Sequence, residues 1–356
     1  MKRIEFHDRE IETKEIMDIL DSEPSLITFV YGPINSGKTA LINNLIGQLP
    51  EDYKVFYINL RGRFIGNYDD FIKVLFDVEH ETRYKRIKEF LGPVVRVLPE
   101  SYYGIPIPKD IFLKLFKEKE VEDAFVYIET VASAFYESGS VPVLVIDELQ
   151  VIGDMKINGL LIYKLFNFFV RLTKELHLAH VFVVTSDSLF LEQVYSEAVL
   201  KGRCRYLLVD DFDAVETTAF LSKYDFTDDE KKVALEHCGG KPVCLLELIR
   251  ASEKQKIAKK MLATRINQLK DLLDYLDYTK PTITMGDAEY IVEKEDIVDT
   301  LSRFTDAEVI DDRGLNRPAK HFLIKDNILF LDPDTGIIKP QSRLDLLAIR
   351  DVLADV

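Results

Sequence analysis

Residues 32–39 read Gly-Pro-Ile-Asn-Ser-Gly-Lys-Thr, and these types at this spacing describe a loop that cradles phosphate. Gly32 and Gly37 let backbone N–H groups turn inward on an anion, and the helix that follows adds the partial positive charge of its N-terminus. Lys38 would bridge the β- and γ-phosphates of ATP, and the Thr39 hydroxyl would ligate Mg²⁺. The loop residues Gly32, Pro33, Ile34, Asn35, Ser36, Gly37, Lys38, Thr39 and Ala40 are the expected contacts for ATP or ADP. Residues 141–148 (VPVLVIDE) supply the partner motif, an apolar strand that delivers Asp147 and Glu148 to one edge of a sheet. Asp147 could hold the magnesium, directly or through water, and Glu148 could polarise an attacking water.

Two weaker signals follow. Residues 181–187 (VFVVTSD) end an apolar run in polar side chains. Thr185 or Ser186 could reach the γ-phosphate or the lytic water, while Asp187 suits the N-cap of the next helix. Arg203, in Gly-Arg-Cys-Arg at 202–205, could stabilise charge on the transferring phosphoryl group, in cis or from a neighbouring subunit. A solvated arginine pair is the plain alternative. Gly239-Gly-Lys-Pro242 has a structural explanation, with Gly ending one helix and Pro opening the next.

These residues need a scaffold. Apolar runs at 25–31, 55–60, 143–146, 181–185 and 205–209 predict strands, and the helical patterns between them predict a parallel α/β sheet with crossover helices. A helix is expected over 8–20 with Asp8 as its N-cap, and Leu41, Ile42, Leu45, Ile46 and Leu49 give the helix after the loop its apolar stripe. Residues 61–140 read as a helical insertion with pieces near 68–77, 81–91, 109–118 and 121–137, broken around Gly92-Pro93 and 103–108. Residues 213–276 read as consecutive helices. The last 80 or so give helix, helix, a hairpin turning at 332–336 (DPDTG) and a closing helix at 342–354, the order of a winged helix. The expected domains are therefore an α/β domain at 1–210, a helical lid at 211–276 and a winged helix at 277–356.

The chain has 356 residues, of which 47% are hydrophobic and 30% charged, the profile of a globular protein. Its net charge of −15 argues against a general attraction to nucleic acid or an anionic membrane. Cys204, Cys238 and Cys244 have no metal-site spacing and read as reduced thiols. The charged N-terminus and the absence of a long apolar run predict a cytoplasmic protein with no membrane association.

The order of these motifs resembles AAA+-like and STAND-type ATPases, and the whole chain resembles the archaeal ATPase family of that group. The opening Phe6-x-x-Arg9-x-x-Glu12 carries part of this resemblance. It implies that Arg9 lies near the adenine, that Gly240 and Pro242 form the lid turn beside the base, and that a lid and a winged helix follow. Lys241 and Pro242 stand where a full AAA+ machine usually has an arginine, and there is no clear pore-loop pattern. The expected function is Mg²⁺-dependent ATP hydrolysis in a nucleotide-dependent switch, with an unidentified protein partner and nucleotide-dependent oligomerisation as further expectations. The alternative is a DNA-binding ATPase related to origin-recognition initiators. Acids outnumber the ten Lys and Arg of 277–356, and the turn at 332–336 bears two aspartates where a DNA-reading wing presents cations, so charge does not favour DNA.

Overall fold

The structure is a computed structural model that describes residues 6–78, 101–118, 121–153, 161–196, 200–285 and 288–354. The helix expected over 81–91 and the break at Gly92-Pro93 lie outside the described residues. Along the first part of the chain run β1 (Ile27–Tyr31), β2 (Tyr53–Asn59), β3 (Phe76–Val78), β4 (Ser101–Tyr103), β5 (Ile105–Ile107), β6 (Val141–Asp147), β7 (His180–Thr185) and β8 (Cys204–Leu208). Among the described residues, six of these form one sheet in the order β4-β2-β6-β7-β1-β8, and every pairing in it is parallel.

Burial on both faces is why these strands read as continuous apolar runs rather than as alternations. All five residues of β1 are buried. Successive side chains still leave on opposite faces. Phe29 joins a core with Ile58, Phe71, Phe166 and Phe169, whereas Val30 joins Ile16, Leu41, Val55 and Phe182 on the other side. Because β7 pairs with both β6 and β1, its carboxyl end stands between the phosphate loop and the Asp147-Glu148 pair.

Two expectations are corrected. The first helix runs Glu10–Leu20, and Arg9 rather than Asp8 is its cap residue, at φ 78°. The Asp8 carboxylate instead accepts the N–H of Arg9 at 2.9 Å. The stretch 61–140 is also not purely helical. It contains Tyr68–Leu75, Lys109–Glu118 and Val121–Glu137 as helices, but β4 extends the main sheet beside β2, and β3 pairs with β5. Three-residue strands such as Ile-Pro-Ile are too short to show a period, and the sheet recruits them through tertiary contact.

Beyond β8 come the helices Ala214–Ser222, Asp228–Cys238, Pro242–Arg250 and Lys254–Tyr278. Capping boxes start the first two, Asp213 with Glu216 and Thr227 with Glu230. Pro242 opens the third, where its missing N–H costs nothing. Their own core includes Phe220, Leu221, Ala234, Leu245 and Leu248. The chain continues with an antiparallel pair not anticipated from sequence, β9 (Thr282–Met285) and β10 (Ala288–Ile291). Then come the helix Lys294–Ser302, β11 (Ile310–Asp311), the helix Arg317–Lys325, β12 (Leu329–Asp332), β13 (Ile337–Pro340) and the helix Arg343–Ala354. β13 pairs antiparallel with both β11 and β12. No described helix is long and apolar enough to cross a membrane.

Candidate functional site

The phosphate loop leaves the carboxyl end of β1 and runs into the helix Lys38–Ile46. Its shape depends on glycine at two places. A Cβ on Gly32 would stand 2.1 Å from the carbonyl oxygen of Val209, and Gly37 sits at φ 99°. Asn35 also adopts a positive φ, 60°. Pro33 and Ser36 are buried, Ile34 and Thr39 half-buried, and Asn35 and Ala40 exposed.

The Lys38 ammonium folds back over the loop and donates to the carbonyls of Gly32 (3.0 Å) and Pro33 (2.8 Å). Burial pulls its pKa down to about 8, and the nearby Lys241 adds to that, against an opposing pull from Glu148, Asp147 and Asp211. A desolvated cation with no anionic hydrogen-bond partner among the described residues suits an anionic ligand.

Thr39 Oγ1 donates to Asp147 Oδ2 at 3.0 Å, and the Tyr57 hydroxyl donates to the same oxygen at 2.8 Å. Asp147 Oδ1 is buried with no hydrogen-bond partner among the described residues. Burial raises the carboxyl pKa of Asp147 despite both hydroxyls. An orphaned carboxylate oxygen beside a threonine hydroxyl fits a hard cation that keeps most of its water. Among the described residues no three His, Cys, Asp or Glu converge on a metal position, but magnesium bound with a nucleotide phosphate does not require that.

Glu148 follows β6 in the left-handed region, at φ 65° and ψ 42°. Its carboxylate is held from two sides, by Arg61 Nη2 on Oε1 (2.5 Å) and by Gln150 Nε2 on Oε2 (2.6 Å). The Thr185 hydroxyl donates to Gln150 Oε1 at 2.8 Å and accepts the N–H of Asp187 at 3.1 Å. Asp187 Oδ1 in turn accepts the Phe190 N–H at 3.0 Å, as an N-terminal cap does. Ser186 is half-buried on the same strand end.

A second cluster lies beyond the loop. Arg9 is 5% exposed. Its guanidinium donates to Glu12 Oε1 (2.8 Å), the Ser36 carbonyl (2.8 Å) and the Asp210 carbonyl (2.6 Å). It also lies over the Phe212 ring, 4.7 Å from the centroid. Gly240 packs against that same segment so closely that a Cβ would meet the Phe212 oxygen at 1.7 Å. Next to it the buried Lys241 donates to the Ile34 carbonyl at 3.0 Å and pairs with Asp211 at 2.9 Å. The structure therefore gathers Arg9, the loop, Gly240 and Lys241, with Pro242 half-buried at the start of the next helix.

Arg203 is not gathered. It is exposed and precedes β8, where its carbonyl accepts the Ile27 N–H at the amino end of β1. The loop leaves the other end of that five-residue strand, roughly 13 Å away at about 3.3 Å per residue. An action of Arg203 on the phosphate loop of its own chain is thereby corrected. Tyr57, Arg61 and Gln150, which sequence reasoning missed, all touch the acidic pair. Only Gln150 had a sequence signal, its place two residues after Glu148 on a turn that leaves the strand end.

A family described as an ATPase domain predominantly from Archaea matches residues 6–248. The C-terminal domain of uncharacterized MJ1010-like ATP-binding proteins matches residues 255–353. An uncharacterized ATP-binding protein of Pyrococcus abyssi is 46% identical, with 98% of each chain covered. One from Methanocaldococcus jannaschii is 43% identical over 99% of this chain and 98% of its own. Among solved structures, a Walker-type ATPase of Pyrococcus abyssi superposes with a TM-score of 0.63 at 16% identity, covering 97% of this chain and 96% of that one. The ORC2 protein of Aeropyrum pernix shares the fold more distantly, with a TM-score of 0.50 at 11% identity over 99% and 95% of the two chains. A phosphate loop on a parallel sheet, with an acidic pair one strand beyond its neighbour, is what an ATP-binding protein of this kind requires, and the chain belongs to the family of ATPases found predominantly in Archaea.

Proposed function

We propose that this chain is a slow, Mg²⁺-dependent ATPase that works as a nucleotide-dependent switch. In this reading Lys38 and the loop amides bind the phosphates, and Thr39 and Asp147 would hold the magnesium, which would supply positive charge against the phosphates when bound. Glu148 polarises the attacking water once one of its oxygens is released. Arg9 braces the loop from behind, through its hydrogen bonds to the Ser36 and Asp210 carbonyls. The modules are 1–210, 211–276 and 277–356, the last read as a winged helix docked on its own core.

The observation that carries the switch is at Ile34. Lys241, from the turn between two helices of the lid, holds its carbonyl at 3.0 Å. Gln341, at the end of β13, accepts its N–H at 3.0 Å. One residue of the phosphate loop is thus gripped by both following modules, through its N–H and its carbonyl, so a shift of the loop on binding phosphate is felt by each. Further contacts fasten the C-terminal module. The Tyr31 hydroxyl donates to Asp332 at 2.6 Å, Lys339 pairs with Asp210, and Phe330 belongs to the core of the main sheet.

The same contacts weigh against DNA reading by this module in the docked state. On the helix Arg317–Lys325, Lys320 is 4% exposed, and it is committed to Asp312 (3.2 Å) and Glu192 (3.5 Å). The aspartate at the base of the apparent wing is turned onto Tyr31.

Hydrogen exchange of residues 328–341 tests the switch, measured without nucleotide, with ADP and with ATP·Mg²⁺. The expected result is a difference of at least about tenfold in exchange between the ATP and ADP states, equivalent to about 1.4 kcal/mol in local opening. Equal exchange in the ADP and ATP states, with both nucleotides shown to be bound, refutes the switch.

A further inference from the structure

We propose that Gln150 is a positioning residue of ATP hydrolysis, whose side-chain amide couples the Thr185 hydroxyl to the Glu148 carboxylate and fixes the direction in which that carboxylate faces. This rests on the reading of Glu148 as the group that polarises water.

The amide spans two strand ends. Its Oε1 accepts from Thr185 on β7 at 2.8 Å, and its Nε2 donates to Glu148 Oε2 at 2.6 Å. The partners fix which way round the amide lies. Turned over, it would point a carbonyl at a carboxylate and lose the bond to Glu148. Thr185 is fully buried, and it has a single proton to give. Its other contact is as an acceptor of the Asp187 N–H. That proton is spent on Gln150, so Thr185 acts on the chemistry through Gln150 rather than by donating to a phosphate oxygen.

The backbone holds Gln150 in place. Glu148 in the left-handed conformation turns the chain back at the strand end into the short helix Leu149–Ile152. The Glu148 N–H is tied to the Val184 carbonyl at 2.8 Å, and the Val151 N–H closes the turn on the Glu148 carbonyl at 3.1 Å. Leu149 and Ile152 are fully buried beneath it. A left-handed non-glycine residue persists where its surroundings over-determine it, and here they place residue 150 beside the side chain of residue 148. The other oxygen of Glu148 is held by Arg61, whose side chain is 60% exposed while that of Glu148 is 12% exposed. Of the two restraints, Gln150 is anchored in the fold and Arg61 is on the solvent side. The anchored one sets the geometry that remains when the other lets go.

The test is a double-mutant cycle on the full chain, with kcat from phosphate release and ATP affinity from a fluorescent ATP analogue. Gln150→Ala and the isosteric Gln150→Glu, which swaps the donor for a repelling carboxylate, should each lower kcat by roughly 10- to 100-fold. Affinity should stay within about twofold, a split that a merely structural loss would not produce. Thr185→Val should cost a similar factor, and Thr185→Val combined with Gln150→Ala should be no slower than the slower single variant. Unchanged kcat in Gln150→Glu, a parallel loss of affinity, or losses that multiply in the double variant would each overturn the coupling. A wild-type protein that turns over while the Gln150 variants match it defeats this proposal alone. A wild-type protein that never turns over defeats the hydrolysis reading, and this proposal with it.

Discussion

Replacing Glu148 with Gln is expected to leave ATP bound and to lower turnover by about 10²- to 10⁴-fold, the range over which a positioned general base acts. The side chain keeps its size. The amide oxygen of the replacement can still accept from either Arg61 or Gln150, which now hold the two carboxylate oxygens. What disappears is the negative charge that draws a proton from water. The phosphate loop, Lys38 and the Thr39–Asp147 contact are untouched, so affinity for ATP·Mg²⁺ should change by no more than a few-fold. Phosphate release at saturating ATP, read beside a binding titration, separates the two quantities. A variant that hydrolyses at the wild-type rate removes Glu148 from the mechanism. A variant that no longer binds shows that its carboxylate serves the loop's architecture instead.

Lys38→Ala should act on the other quantity. In the described state its ammonium caps two loop carbonyls, which are weak partners for a buried cation. A triphosphate offers it charged oxygens, and hydrogen bonds to charged groups are each worth about 1.5–3 kcal/mol. Losing one or two of them predicts a fall in ATP affinity of about 10- to 10⁴-fold, since about 1.4 kcal/mol is tenfold. The melting temperature of the nucleotide-free protein should barely fall, because burial already disfavours the charged form of this lysine. Calorimetric titration with ATP·Mg²⁺ and a thermal melt check both halves. Wild-type affinity in this variant refutes the site, and a large drop in melting temperature without nucleotide assigns Lys38 a structural role.

The parts of the fold that sequence makes legible are those carried by long uniform patterns. Five strands of the main sheet, the helix after the loop and the helical run after 213 follow from apolar runs and 3.6-residue spacing. The loop and the acidic pair were legible because their mechanism demands fixed spacing next to a strand. The strands β3, β4 and β5 were not, since three residues carry no period. The contacts that complete the site were not either. Tyr57 reaches Asp147 across 90 positions of sequence, and Gln341 reaches Ile34 across 307, and a lone Tyr or Gln has no local signature. Arg203 could have been placed better from sequence. It precedes its strand, and in open parallel sheets ligands sit beyond the carboxyl ends.

Arg9 makes contacts that its motif alone does not specify. The expectation put it near the adenine. Its guanidinium is occupied by Glu12 and two backbone carbonyls and lies over Phe212. That makes it a brace between the loop and the segment after β8. The same segment is where Gly240 packs without room for a Cβ.

The most direct measurement of ATP hydrolysis at this site is a single-turnover experiment on the full chain. The protein is held in excess over ATP labelled at the γ-phosphate, and phosphate release is followed with Mg²⁺ present or removed by chelation. The expected result is stoichiometric release of one phosphate per bound ATP with Mg²⁺, slowed by at least about 10²-fold without it. ATP that stays bound and intact in the presence of Mg²⁺ would contradict it.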